Sequence, residues 1–319
     1  MSSKEVFLSN KENKNNFIAL LMQRMEESSI KASRSSGDAD FLICTTAIEL
    51  CKSGPTHIVG EDTDLLVILL HHASRQNIPP GALFLKNNSK NAKHKVWDIG
   101  HTCQVLGGEK CHLLPFFHAI TGCDTTSRLF KIGKGKPLEK LNSCLLFKEQ
   151  ALTFCSPTMP DRATVIDAGV KSIALLYGGK PGEHLDRVRA RKFKKATLTS
   201  ITEVEVKNLP PTPDAAKYHS LRVFYQVRNW IGDGSALDPT EWGWKLQGGM
   251  LHPVKMDNKY APDNLLRIIR CHCKTGNCRP ETSCSCRKHG LFCTDACAHC
   301  QGENCANSDP LVGEEELVD

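Results

Sequence analysis

The sequence predicts an α/β fold built on a partial parallel sheet, followed by a mainly helical region and a small cysteine-rich module. Three observations predict it. Thr56 to His72, THIVGEDTDLLVILLHH, sets a short apolar run, a glycine break and a longer apolar run in succession, the pattern of buried parallel strands and buried helices. Helical apolar spacing returns from Ala163 to Tyr177 and from Ala215 to Trp230. Nine of the sixteen cysteines fall between Cys271 and Cys305. The expected division is 1–150, 151–268, 269–308 and an acidic tail, 309–319.

A chain of 319 residues has room for two or three domains with cores of their own. No apolar run approaches the roughly 20 residues of a membrane helix, so no membrane partner is expected. The opening MSSKEVFLSNKENKNN is polar and lacks the apolar stretch of a secretory signal. Many cysteines without such a signal point to a reducing compartment and metal binding rather than disulfides. A net charge of +6 permits a nucleic-acid partner without requiring one.

Phe17 to Met25, FIALLMQRM, has apolar residues at helical spacing, and a helix is expected over roughly Asn15–Glu27. After Gly37 come Asp38-Ala39-Asp40 and then FLICTTAIELC, a second helix from Phe41 to Cys51. Two readings of Asp38 and Asp40 are open: favourable charge at a helix N-terminus, or one half of a cation site. The second Asp-x-Asp pair, Asp62 and Asp64, has the same two readings. Asp62 caps a helix beginning near Asp64, or the pair sits at the carboxyl end of a strand, where open α/β sheets place their chemistry. A helix and a strand separate the pairs, which brings both to one edge of a sheet. A third acid, Asp124, follows LLPFFHAI and a Gly122 turn, and Lys131, Gly133, Lys134 and Gly135 lie just beyond it. That turn is a plain helix connection or a phosphate-binding loop; it lacks P-loop spacing. His71, His72, His112 and His118 read as ordinary core or surface histidines.

DAD, GEDTDLLVILL and HAITGCDTTSRLFKIGKGK together resemble the acidic signature of PIN-like nucleases of the flap-endonuclease type, in particular the divergent, transposon-associated animal kind. The resemblance covers about Phe7 to Leu141. It implies that Asp38, Asp40, Asp62, Asp64 and Asp124 hold two divalent metals, Mg or Mn, against a phosphodiester. It also implies that Gly133 and Gly135, with Lys131 and Lys134, grip a nucleic-acid backbone. Two-metal phosphodiester hydrolysis needs shared carboxylates of this kind, and magnesium prefers oxygen ligands. In the family a further strand with its own acid precedes the stretch that corresponds to Phe7–Asn10. The domain is therefore expected to be truncated, and either inactive or completed by a partner protein that supplies the strand.

In the middle region Arg187 to Lys195, RVRARKFKK, has six basic residues in nine. It is a solvated helix face or, through Arg189, Arg191 and Lys192, an electrostatic footprint for nucleic acid. Pro210-Pro211-Thr212-Pro213 marks a break, with Asp214 expected to cap the next helix. The aromatic residues of that helix read as core, with Trp242 and Trp244 packing on it.

The cysteine spacing C-x-C-x4-C-x5-C-x-C-x6-C-x3-C-x2-C-x4-C runs through Cys271, Cys273, Cys278, Cys284, Cys286, Cys293, Cys297, Cys300 and Cys305. Leu291 and Phe292 aside, nothing apolar is there to build a core. Structural zinc supplies an apparent ~10–16 kcal/mol per site in small peptides. Three tetrahedral ions need twelve metal–sulfur bonds, which nine sulfurs provide if three of them bridge. The alternative is two separate four-cysteine sites with a cysteine to spare. Arg270, Lys274, Arg279, Arg287 and Lys288 would offset the excess negative charge of a three-zinc cluster. The spacing resembles the tesmin-type CXC domain, a nine-cysteine zinc module of nuclear DNA-binding and chromatin proteins. In that family a tyrosine before the fourth cysteine enters the minor groove; here the place is Ser283.

Three functions remain. The first is a nuclear, otherwise cytoplasmic, nucleic-acid-associated zinc protein with a degenerate PIN-like domain. The second is an active magnesium-dependent DNA nuclease, and the third a protein–protein scaffold.

Overall fold

The computed structural model describes residues 4–35, 38–89, 96–199, 204–234, 237–258, 270–273, 278–279, 284–294, 297–302 and 305–308. The fold is mixed α/β and mostly helical, with small sheets and a C-terminal cysteine cluster. Ser283 and the tail 309–319 lie outside the described residues.

Helices α1 (Lys4–Ser9) and α2 (Lys11–Glu27) open the chain, α2 capped by the Asn10 side chain on Glu12 N and Asn13 N. The expected helix thus begins four residues early, because the cap lies upstream of the apolar stripe. Phe17, Leu20, Leu21 and Met25 of α2 are exposed. Helix α3 (Asp40–Leu50) precedes strand β1 (Thr56–Val59). The apolar run Leu65–Leu70 is helical, part of α4 (Thr63–Arg75), with Leu65, Val67, Ile68, Leu69 and Leu70 buried. Strands β2 (Leu83–Lys86) and β3 (Val96–Asp98) complete the sheet. Its order is β1-β2-β3, with β1 parallel to β2 in the register Thr56–Leu83 and β3 antiparallel to β2.

Asp98 turns the chain into α5 (Ile99–Leu106) by capping His101 N. Helix α6 (Gly108–Thr121) is buried along most of its length. Helices α7 (Lys136–Ser143), α8 (Leu145–Cys155), α9 (Arg162–Leu176), α10 (Leu185–Thr199) and α11 (Pro213–Ile231) follow. Thr212, not Asp214, caps α11: its hydroxyl accepts from Ala215 N at 3.2 Å, while Pro213 takes the first helical position. The Asp214 carboxylate instead accepts from the backbone of Asp257 and Asn258. A hairpin, β4 (Trp244–Gln247) and β5 (Met250–Pro253), ends this part.

One hydrophobic core extends from Cys44 to Trp242 without a break near residue 150. Its spine is aromatic. Phe116 meets Phe154 at 4.5 Å between ring centroids, Phe154 meets Phe224 at 6.1 Å, and Phe224 stacks on Trp242 at 4.6 Å. Such pairs add about 0.5–1.5 kcal/mol beyond the area they bury. Trp242 packs on α11 as its sequence position suggests. Trp244, by contrast, begins β4. Where α9 crosses α11, Gly169 faces Ser220 so closely that a Cβ there would overlap the serine side chain. Among the described residues no helix is long and apolar enough to cross a membrane.

Candidate metal centres

The first centre lies at the carboxyl end of β1. Gly60 and Glu61 leave the strand, and the Asp62 side chain accepts from Asp64 N at 2.9 Å, starting α4. Capping and strand-end placement are therefore both true of this pair. Asp40 opens α3, and its backbone N–H donates to Asp38 Oδ1 at 3.3 Å. One carboxylate oxygen each from Asp40, Asp62 and Asp64 lies within 4.8 Å of the others. Oxygens around one octahedral magnesium are about 3–4.2 Å apart at its ~2.1 Å bond length, so the group is of a size that could hold one divalent ion. Burial, and then the charges of Asp38, Asp62, Asp64 and Asp124, push the Asp40 carboxyl up to about 6. The other four aspartates picked out in the sequence thus all act electrostatically on Asp40.

Asp124 sits in the connection between α6 and α7. Gly122 turns this loop with φ +108°, and a Cβ there would lie 2.7 Å from Arg128 Cα, so only glycine suits the position. Thr126 donates to Ala119 O at 2.7 Å and Thr125 to Gln226 Oε1 at 2.7 Å, which ties the loop to α6 and α11. Sequence reasoning missed His118. Its Nε2 lies 2.7 Å from Asp64 Oδ1, with both side chains nearly buried. The signal available was its place on the buried helix leading to Asp124, but the carboxylate it meets belongs to a distant helix.

Of the expected backbone-gripping residues, Lys131, Gly133 and Gly135 are exposed. Neither glycine has positive φ, and a Cβ at either would meet nothing. Lys134 turns inward and donates to the carbonyls of His118 and Gly122, a cation at the C-terminus of α6. On α10, Arg189 donates to Pro210 O, Arg191 pairs with Glu183 at 3.1 Å, and Lys192 is exposed. The three do not act as one free basic face.

The second centre is made of cysteines. Cys271, Cys278, Cys284 and Cys293 form one tetrad; Cys271, Cys286, Cys293 and Cys297 a second; Cys278, Cys293, Cys300 and Cys305 a third. Sulfur–sulfur distances are 3.7 Å for Cys271–Cys278, 3.8 Å for Cys271–Cys293 and 3.5 Å for Cys286–Cys297. Disulfide sulfurs would be ~2.05 Å apart, whereas sulfurs bound tetrahedrally to one zinc are ~3.8 Å apart at the ~2.3 Å bond length. The cluster is thus compatible with a zinc module. Cys273 packs against it. Leu291 and Phe292 are exposed, so among the described residues the buried hydrophobic cluster of the module is all cysteine.

Burial pushes the thiols of Cys278, Cys286 and Cys293 far up, and Cys300 up to about 11. Without a cation such groups stay protonated and crowd one another; a metal is what makes them thiolates. The backbone around them is held by short α12 (Ser285–Lys288) and by Asn307, another residue the sequence did not mark. Asn307 Nδ2 donates to Leu291 O at 2.8 Å and to Cys293 Sγ at 3.5 Å, and Asn307 O accepts from Cys293 N at 2.8 Å. Arg270 donates to Thr197 O and so joins the module to the end of α10.

No protein-family model matches the chain, and neither a curated protein nor a solved structure matches it.

Proposed function

We propose that this is a nucleic-acid-associated protein organised by a three-zinc cluster, with a cation-binding acidic site of PIN-like design that has lost efficient catalysis. The observation that carries the reading is the sharing of sulfurs. Cys271 and Cys278 each belong to two tetrads and Cys293 to all three, as expected of bridging thiolates rather than separate sites. Cys273, packed against the group, supplies the ninth sulfur and relieves Cys293 of one ion. This is the ligand economy of the tesmin-type CXC module, whose relatives bind DNA. The exposed Lys131–Gly135 turn, with glycines the local backbone does not require, supports contact with a phosphate backbone.

The test is DNA affinity measured against salt for the zinc-loaded chain and for Cys293→Ser. A steep negative slope of log affinity on log salt is expected, and the variant binds more weakly. A slope near zero in both would leave only a scaffold.

A second reading is favoured by one specific observation: the oxygens of Asp40, Asp62 and Asp64 lie within one ion's reach, with Asp124 close enough to act on Asp40. On this reading the protein is a magnesium- or manganese-dependent nuclease. The cation would lower the pKa of the attacking water and neutralise charge at the phosphodiester. The aspartates hold it, and His118 fixes the orientation of Asp64. Cleavage of branched or single-stranded DNA with Mg²⁺ or Mn²⁺, abolished in Asp64→Ala, would establish it in place of the catalytically silent form.

A further inference from the structure

A cavity of about 370 Å³ is lined in part by Ser127 to Phe130, just beyond Asp124, and by no residue of either metal centre. Residues of this loop, of α10 and α11 and of the segment after β5 converge there. Five cationic side chains line it, Arg128, Arg189, Lys207, Arg222 and Lys255, and among the described residues no carboxylate does. Lys207 pairs with Glu205 at 3.0 Å. The other four have no ion pair among the described residues. Arg222 is only 4% exposed, and its guanidinium donates to the carbonyls of Gly243 and Val254. Burial alone draws its guanidinium down to about 10, and burial also lowers Arg189. A buried cation with no counter-charge beside it, as Arg222 is, is costly, and the remedy such an arginine suits best is a phosphate.

The remaining lining narrows the ligand. Phe130, Tyr177, Leu209 and Pro211 give apolar walls. His219, 3% exposed, also lines the cavity; its Nε2 is spent on Ile120 O at 2.9 Å, and its Nδ1 is buried without a partner. With Nε2 donating to a carbonyl, the neutral ring presents Nδ1 as an acceptor, and burial, by lowering His219 to about 4, keeps the ring neutral. The site therefore offers cations for an anion and apolar surface, with the His219 ring neutral beneath it. Its volume lies within the range of small-molecule sites.

The geometry points to a binding site for a phosphate ester of mononucleotide size, its phosphate held by Arg128, Arg222 and Lys255 and its organic part against the apolar walls. The ester comes either from a free nucleotide or from the phosphorylated end of a nucleic-acid strand; the chemistry recognised is the same. The inference stands independently of the acidic site and of the zinc cluster.

The test uses the full zinc-loaded chain and titration calorimetry with AMP, adenosine and a 5′-phosphorylated oligonucleotide. AMP is expected to bind saturably, with adenosine at least about tenfold weaker because it lacks the charge-assisted contacts. Arg128→Gln and Lys255→Gln, both at exposed positions, are expected to weaken AMP about tenfold each while the circular dichroism spectrum is unchanged. An oligonucleotide tighter than AMP assigns the site to strand ends, a weaker one to free nucleotides. Equal binding of adenosine and AMP, no saturable AMP binding, or wild-type affinity in both folded variants would overturn the proposal.

Discussion

His118 Nε2 stands 2.7 Å from Asp64 Oδ1, joining the helix that leads to Asp124 with the helix that follows β1. The contact fixes one of three carboxylates whose oxygens lie within 4.8 Å of one another, and on the proposed reading, in which they hold a cation, hydrogen-bonded support of a ligating carboxylate matters to affinity. His118→Ala is expected to weaken Mn²⁺ binding on the order of tenfold, measured by electron paramagnetic resonance titration. An unchanged dissociation constant would detach His118 from the cation site.

The acidic centre also makes stability depend on pH. Asp40 is raised from 3.8 to about 6 by burial first and by Asp38, Asp62, Asp64 and Asp124 next. The native state therefore holds this proton more tightly than the unfolded state. Asp40's own contribution to stability in cation-free buffer falls as pH rises from about 4 to about 6 and then levels off, while His71 and His219, lowered by burial to about 3 and about 4, contribute stability that rises over the same range. Magnesium is expected to flatten the Asp40 contribution, and Asp40→Asn to remove it, so that the variant's stability rises more steeply with pH than the wild type's. Thermal melts across this range, with and without Mg²⁺, read both effects; an identical profile in Asp40→Asn would exclude Asp40 as the cause.

The crossing of α9 and α11 gives a prediction about packing alone. Gly169→Ala would drive a methyl into the Ser220 side chain, and overpacking of this kind costs about 1–3 kcal/mol. The midpoint of urea unfolding should drop accordingly, with part of the loss recovered when Ser220→Gly is added. A midpoint unchanged in Gly169→Ala would mean that the two helices separate freely.

The cysteine cluster and the main core are separate clusters of buried residues. Chelation of zinc is therefore expected to unfold the module while α3 to α11 keep their helical circular dichroism. Loss of the whole signal on adding a chelator would show that the cluster also supports the body of the protein.

Much of this architecture was legible in the sequence, and the illegible parts have physical causes. The strand at His57–Val59, the glycine break and the acids beyond it follow from local chemistry. Whether Leu65–Leu70 was strand or helix did not, because a short fully buried run has no period to read. Asp214 looked like a cap because the residue type is right, yet Thr212 before Pro213 is the better-placed acceptor. The cysteine spacing announced a metal module, but which sulfurs are shared depends on how the chain closes. His118, Asn307 and the cations of the cavity meet their neighbours only through tertiary contacts, and no local pattern marks them.

The most direct test of the zinc cluster is native mass spectrometry of the full chain with its metals retained. We expect the mass of three zinc ions, falling by at least one ion in Cys273→Ser and further in Cys293→Ser. A protein that carries two ions, indifferent to Cys273, would contradict the shared-sulfur cluster, and one that carries none would remove the basis of the account.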